Sequence, residues 1–210
     1  MSLMLCAALL QQEPTYAELS RKQGLGAADR FLRDGKYLEA AVAYRNILLT
    51  PGDREGVRVP LALALLAKGD AAYAGVELRR AQMLYPDLLR LAIDPAELFG
   101  SKGLLTKAAD AAMAKDPETD AAEVSGAAAY AYYLEGERDR AQSALAKYVQ
   151  ARGNDPFARD LKAALAKGSA APTGLAAAPA PPAFRGGEPV RAGVRFVEPE
   201  VRPRGEILAK

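Results

Sequence analysis

The stretch of sequence that decides the fold is KGDAAYAG, at residues 68–75. Three other segments share its pattern, in which a charged residue precedes a glycine and an alanine follows that glycine five positions later. The four glycines are Gly35, Gly69, Gly103 and Gly136, and the intervals between them are 34 residues (35 to 69), 34 (69 to 103) and 33 (103 to 136). A period of this length is typical of repeat proteins, in which each repeat is one supersecondary unit.

The pattern around each glycine predicts a pair of helices joined by a tight turn. Glycine takes a left-handed backbone conformation without steric cost, which a chain needs where it leaves a helix and reverses. The alanine five residues later is expected where the two helices cross, because only a small side chain lets their backbones approach closely. These alanines are Ala40, Ala74, Ala108 and Ala141.

Apolar residues at helical spacing lie on both sides of the predicted turns. A small and a large residue three positions apart precede the turn, and two residues with the same spacing follow it, which predicts one buried face for each helix. The preceding pairs are Ala28 and Phe31, Ala62 and Leu65, and Ala129 and Tyr132; the following pairs are Tyr44 and Ile47, Leu78 and Ala81, and Leu145 and Tyr148.

Over about residues 20–150, these features resemble the tetratricopeptide repeat (TPR) family. The second repeat, around Gly69, is the clearest match. The third is the poorest, because Asp94-Pro95 interrupts its first helix and Asp116-Pro117 ends its second helix early. The resemblance implies an all-α fold, a right-handed α-α solenoid of about four degenerate TPR-like helix hairpins with end helices.

Two further helices are predicted at the ends of the repeats. Thr15 and Glu18 have the spacing of a capping box, which marks the start of a helix. After the fourth repeat, Asp155-Pro156 opens a helix that carries one apolar stripe and is expected to cover the open end of the repeat array. The stripe consists of Phe157, Leu161 and Leu165.

Four segments of different composition follow one another along the chain. Residues 1–13 begin with an uncharged apolar stretch and are interpreted as an export signal, with a disordered leader as the alternative. Residues 14–167 form the predicted TPR-like domain. Residues 168–189 are an Ala/Pro-rich linker, and residues 190–210 are expected to be a disordered tail or a short extended segment. The leader favours an exported protein, periplasmic or secreted, over a cytoplasmic one.

Composition excludes several kinds of functional site. The 28 Lys and Arg and the 26 Asp and Glu give a net charge of +2, and both signs are interspersed along the repeats, which argues against nucleic-acid binding. The chain has no histidine and one cysteine, Cys6, so disulfides, Cys/His metal sites and His-dependent triads are excluded. No apolar run reaches the ~18 residues of a membrane-spanning helix. We therefore expect no catalytic residue, metal or cofactor; a small enzyme with carboxylate or tyrosine chemistry is the least favoured hypothesis.

The resemblance implies a non-catalytic scaffold that binds another protein or peptide in a concave groove lined by the first helices of the hairpins. For two tyrosines in the fourth repeat, stacking on a bound peptide and packing against a neighbouring helix are both open. A self-assembling structural or envelope protein is the alternative, in which the apolar groove and the tail pair with other copies. The predicted groove residues are Lys22, Asp29, Arg33, Leu63, Leu66, Tyr130 and Tyr133.

Overall fold

The computed structural model describes residues 15–51, 55–84, 91–115 and 120–166. Within these ranges the chain forms helices and no β-strand, which confirms the predicted all-α class. The predicted leader (1–13), linker (168–189) and tail (190–210), and the Asp116-Pro117 helix stop, lie outside the described residues and stay predictions.

Ten α-helices and a short 3-10 turn follow one another in the part of the chain that the structure describes. None of these helices combines the length and the apolar character needed to cross a lipid bilayer. They are α1 (Tyr16–Gln23), α2 (Gly26–Arg33), α3 (Tyr37–Leu48), the 3-10 turn (Glu55–Val57), α4 (Arg58–Lys68), α5 (Ala71–Leu84), α6 (Pro95–Phe99), α7 (Leu104–Met113), α8 (Ala121–Leu134), α9 (Arg138–Arg152) and α10 (Pro156–Ala166).

Three helix hairpins, α2–α3, α4–α5 and α8–α9, pack side by side through contacts of α3 with α4 and of α5 with α8. The turns of these hairpins share one geometry. Gly35, Gly69 and Gly136 have φ values of 72°, 98° and 78°, as the repeat pattern predicts. In each turn the amide of the residue after the glycine donates to the carbonyl five residues earlier, which satisfies a free carbonyl at the helix end. The glycines are therefore required by backbone conformation.

The small residues predicted at the helix crossings are buried in these three hairpins, at Ala40, Ala74 and Ala141. The third predicted crossing differs, because Ala108 is partly exposed and its neighbour Ala109 is buried instead.

The end helices form as predicted. The side chain of Thr15 accepts from the amide of Glu18 in a capping box, and α10 buries its stripe of Phe157, Leu161 and Leu165 against the core.

The third predicted repeat does not take its place in this row of hairpins. Pro95 is the first residue of α6, which has only five residues and ends at Gly100 (φ 70°). A helix of this length is about 7.5 Å long, too short to form one side of a hairpin. As a result α8 packs directly on α5, while α6 packs on α2, and α7 packs on α4 and α8. Gly103 precedes α7 rather than ending a first helix. The sequence predicts about four degenerate hairpins, and the irregularity falls at the third repeat, where Asp94-Pro95 interrupts the first helix.

Candidate functional site

The candidate site is the side of the molecule formed by α2, α4 and α8, the first helices of the three hairpins, which we call the first-helix face. The α6–α7 pair lies across this face, because α6 contacts α2 and α7 contacts both α4 and α8. Every residue of α4 from Val59 to Leu66 is buried. Burial over two helical turns requires neighbouring helices on every side of α4. Helices α3, α5 and α8 cover part of its surface, and α7 covers the remaining side.

Four of the predicted groove residues therefore belong to the interior. The exposed fractions of Leu63, Leu66 and Tyr130 are 1% each, and that of Tyr133 is 5%. These four side chains are buried among helices in this structure and do not line an open groove. Of the two alternatives for the tyrosines, packing against neighbouring helices is the one observed. The rings of Tyr130 and Tyr133 lie 6.3 Å apart.

The predicted groove residues of the first repeat separate into one buried and two exposed side chains. Lys22 and Arg33 are exposed. The backbone of Arg33 borders the end of α6, since a Cβ on Gly100 would lie 3.7 Å from the carbonyl oxygen of Arg33. Asp29 is buried, with 5% of its surface exposed, and it faces other side chains of the core rather than a groove.

Asp29 accepts three hydroxyl hydrogen bonds. Tyr16 and Tyr44 each donate to Oδ1 at 2.6 Å, and Ser20 donates to Oδ2 at 2.5 Å. Burial, together with the charge of Asp29, raises the pKa of Tyr44 far above its ordinary value. Because Tyr16 and Ser20 belong to α1 and Tyr44 to α3, the carboxylate of Asp29 joins α1 to the first hairpin. The role of Asp29 is structural. In the sequence, the i, i+4 spacing of Tyr16 and Ser20 indicated that both hydroxyls lie on one side of a helix.

Polar groups of α8, of the turn after it and of α9 hold α7 in place. The side chain of Asp110 accepts from the hydroxyl of Tyr132 at 2.6 Å and from Arg140 at 3.2 Å. The carboxylate of Glu135 accepts from the amides of Gly103 and Leu105, at 3.1 and 3.3 Å. Since Gly103 has no side chain to cap α7, Glu135 supplies the cap from the turn after α8. We call Asp110, Tyr132, Glu135 and Arg140 the α7 latch.

A second polar cluster joins α5, α8 and α9. The nearly buried carboxylate of Glu123 accepts from Arg79 at 3.3 Å and also from Arg152. Both arginines border a cavity of about 290 Å³, whose other walls include Met83 and Phe157. The two arginines share one carboxylate, so the cluster resembles a structural junction more than a site of proton transfer.

Exposed apolar side chains, which sequence reasoning missed, lie on the second helices of the first two hairpins. Those of α3 are Leu38, Val42 and Leu49, at its end; those of α5 are Tyr73, Met83 and Leu84. In the sequence, the four-residue spacing of Leu38 and Val42 indicated that both lie on one side of a helix.

The described residues contain no group of three or more His, Cys, Asp or Glu side chains that could hold a metal ion. Comparison of the chain with protein-family models, with curated proteins and with solved structures finds no match. The arrangement of helices and side chains is therefore the basis for any functional assignment.

Proposed function

We propose that this chain is a non-catalytic scaffold of the TPR kind, a right-handed α-α solenoid that holds a segment of another polypeptide on its first-helix face. The observation that carries the proposal is that a helix, α7, already lies on this face against α4 and α8. A surface that accepts one amphipathic helix has the apolar floor and the polar edge needed for another. The shared turn geometry at Gly35, Gly69 and Gly136 supports the repeat architecture.

Site-specific photo-crosslinking tests this proposal in cells of the source organism. A benzophenone amino acid replaces Arg33, which is exposed at the border of α6, in the full chain. The control carries the same group at Lys147, an exposed residue of α9, which is not part of the first-helix face. We expect one partner, identified by mass spectrometry, to crosslink from position 33 and not from position 147.

The identified partner is then purified and its Kd for the chain is measured. Crosslinks that form equally from both positions, or from neither, would contradict a scaffold that binds through the first-helix face. A partner that crosslinks only from position 33, and that binds in purified form, would support it.

Self-assembly is the second candidate function, and the apolar side chains of α3 favour it. Leu38, Val42 and Leu49 are 55%, 48% and 82% exposed. At 3.6 residues per turn they project within about 40° of one another, so they share one side of α3, where the exposed Arg45 lies between Val42 and Leu49. Exposed apolar side chains on one side of a helix form a surface that a second copy could cover.

Sedimentation equilibrium over a range of concentrations tests self-assembly. The hypothesis predicts that the mass of the wild-type chain rises with concentration and that a Leu38→Glu, Val42→Glu variant stays monomeric. Gln142→Glu with Gln150→Glu, on exposed positions of α9, adds the same charge and should behave as the wild type. A wild-type chain that is monomeric throughout would rule this function out.

A further inference from the structure

The feature behind this inference is the small amount of apolar surface that holds α7 on the first-helix face. The fully buried residues of α7 are Leu105, Ala109 and Ala112, of which only the leucine is large, and Leu104, Ala108 and Met113 pack against the core while staying partly exposed. The helix beneath it, α4, buries five larger aliphatic side chains over a similar length. Since stabilisation by burial follows the apolar area removed from water, α7 is bound less firmly than α4.

The polar contacts of α7 are ones that water can replace. The side chains of Asp110 and Arg140 are 46% and 49% exposed, so neither would be left buried and unpaired if α7 moved away. Glu135 is only partly buried and would be hydrated in the same way. The α7 latch therefore fixes the orientation of α7 and its position along the first-helix face, while the apolar contact beneath α7 is weak.

The chain on the N-terminal side of α7 allows it to move without its neighbour. Gly100 and Gly103 both have positive φ and enclose the short connection between α6 and α7. The segment before it is anchored, since Leu98 and Phe99 are buried and the rings of Phe99 and Tyr37 pack edge to face with their centroids 6.2 Å apart. α6 can thus stay in place while α7 leaves.

We propose that α7 is a displaceable resident helix, which occupies the part of the first-helix face where a partner helix of the same chemistry binds. That partner has a large apolar residue followed by small residues four and seven positions later, in the manner of Leu105, Ala109 and Ala112. It also has a carboxylate five positions after the apolar residue, as Asp110 has, to accept from Tyr132 and Arg140. The inference rests on the proposed function and names the chemistry of the segment that the scaffold takes up.

Hydrogen exchange measured on the full chain is the first test. We expect the amides of α7 in the wild type to exchange faster than those of α4 and α8, because α7 opens locally. Asp110→Ala removes the charge-assisted hydrogen bonds of the latch and should speed exchange in α7 about tenfold, leaving α4 and α5 unchanged. Lys107→Ala, at an exposed position of the same helix, is the matched control and should change nothing. Amides of α7 that exchange only together with those of α4 would overturn the inference.

A labelled peptide of residues 101–115 provides the second test, by fluorescence polarisation against full chains. The peptide keeps Asp110, so it can still use the latch of an Asp110→Ala chain whose own α7 is weakened. We expect it to bind the Asp110→Ala chain at least about tenfold more tightly than the wild type. Adding Tyr132→Phe to the chain, or Asp110→Ala to the peptide, should remove this gain.

The two proposals fail separately. A partner that crosslinks from position 33 while the peptide binds neither chain overturns the displaceable helix and leaves the scaffold function standing. A peptide that binds as expected, with no partner crosslinked from position 33, shows that α7 can be displaced and contradicts the scaffold function, and with it the partner helix. Equal affinity of the peptide for the wild-type and Asp110→Ala chains also overturns the displaceable helix.

Discussion

Gly75 of α5 lies so close to α8 that a Cβ atom at this position would be 2.1 Å from the carbonyl oxygen of Glu123. The side chain of Glu123 accepts, at the same crossing, from Arg79 of α5 and Arg152 of α9. The second and last hairpins therefore meet through a backbone contact that only glycine permits, next to an ion cluster that spans three helices. This crossing replaces the contact that a regular third repeat would have made.

Replacement of Gly75 by alanine is expected to destabilise the fold strongly. Alanine normally stabilises a helix by about 0.5–1 kcal/mol relative to glycine. Here the added methyl group meets backbone atoms of α8 that cannot move aside, so we expect a loss of about 3 kcal/mol or more in the free energy of unfolding by urea. Gly26→Ala is the control, because a Cβ at Gly26 meets nothing within 4 Å. A Gly75→Ala variant as stable as the wild type would show that α5 and α8 are not in this contact.

Neutralising Glu123 is expected to weaken the same junction. Glu123→Gln keeps the size of the side chain but leaves Arg79 and Arg152 beside each other without a counter-charge. Because hydrogen bonds to charged groups contribute about 1.5–3 kcal/mol, we expect the free energy of unfolding to fall by about that amount. Glu39→Gln, at an exposed position of α3, should have little effect. Equal effects of the two substitutions would show that the cluster contributes nothing specific to stability.

Two buried tyrosines are expected to respond in opposite ways to loss of their hydroxyl groups. Tyr44 donates to the buried carboxylate of Asp29, so Tyr44→Phe should reduce the free energy of unfolding by about 1.5–3 kcal/mol. The hydroxyl of Tyr130 is buried and has no hydrogen-bond partner among the described residues. Tyr130→Phe should therefore leave stability unchanged or raise it by about 1 kcal/mol. Thermal unfolding followed by circular dichroism measures both, and a larger loss for Tyr130→Phe than for Tyr44→Phe would contradict the packing described above.

The buried tyrosines also make the fold sensitive to alkaline pH. Burial and the hydrogen bond to Asp110 raise the pKa of Tyr132 to about 12, and burial raises the pKa of Tyr16, Tyr44, Tyr130 and Tyr148 as well. Unfolded tyrosines ionise near pH 10. Above about pH 10 the unfolded state therefore binds fewer protons than the native state, and the free energy of unfolding decreases as pH rises toward the folded values.

The decrease is about 1.4 kcal/mol per pH unit for each tyrosine that is ionised only in the unfolded state. Several such groups acting together should produce a cooperative loss of helix between about pH 10 and pH 12. Tyrosinate absorbance and far-ultraviolet circular dichroism, recorded in one titration, should change together for the buried groups. Complete ionisation of the tyrosines near pH 10 with the helices intact would contradict the burial of these side chains.

The local parts of the fold were predictable because their causes lie within a few residues. The turns at Gly35, Gly69 and Gly136 depend on a left-handed glycine and on hydrogen bonds that reach back five residues at most. The capping box at Thr15 and the apolar stripe of α10 are equally local. Hydrophobic spacing and turn chemistry are visible in the sequence whatever the rest of the chain does.

The candidate site was less predictable, because burial depends on which element covers a surface. Leu63 and Tyr130 were placed on the correct helices, but their exposure depended on which distant helices pack against α4 and α8. The partners of Asp29 come from two other helices, and the carboxylate that caps α7 belongs to Glu135, some 30 residues further along the chain. Contacts over such distances have no periodic signature.

The sequence by itself determined that this protein is made of helices, where most of its hairpins turn and which small residues lie where the two helices of three hairpins cross, because backbone conformation and helical periodicity are local properties. Only the tertiary structure decided that α8 packs on α5 at Gly75 and that α7 lies on the first-helix face. Pro95 shortens α6 below the length of a hairpin, and the chain then buries its remaining apolar surface wherever distant helices offer a complementary one. Where this apolar surface is buried depends on all of those helices together, so it cannot be predicted from any single stretch of sequence.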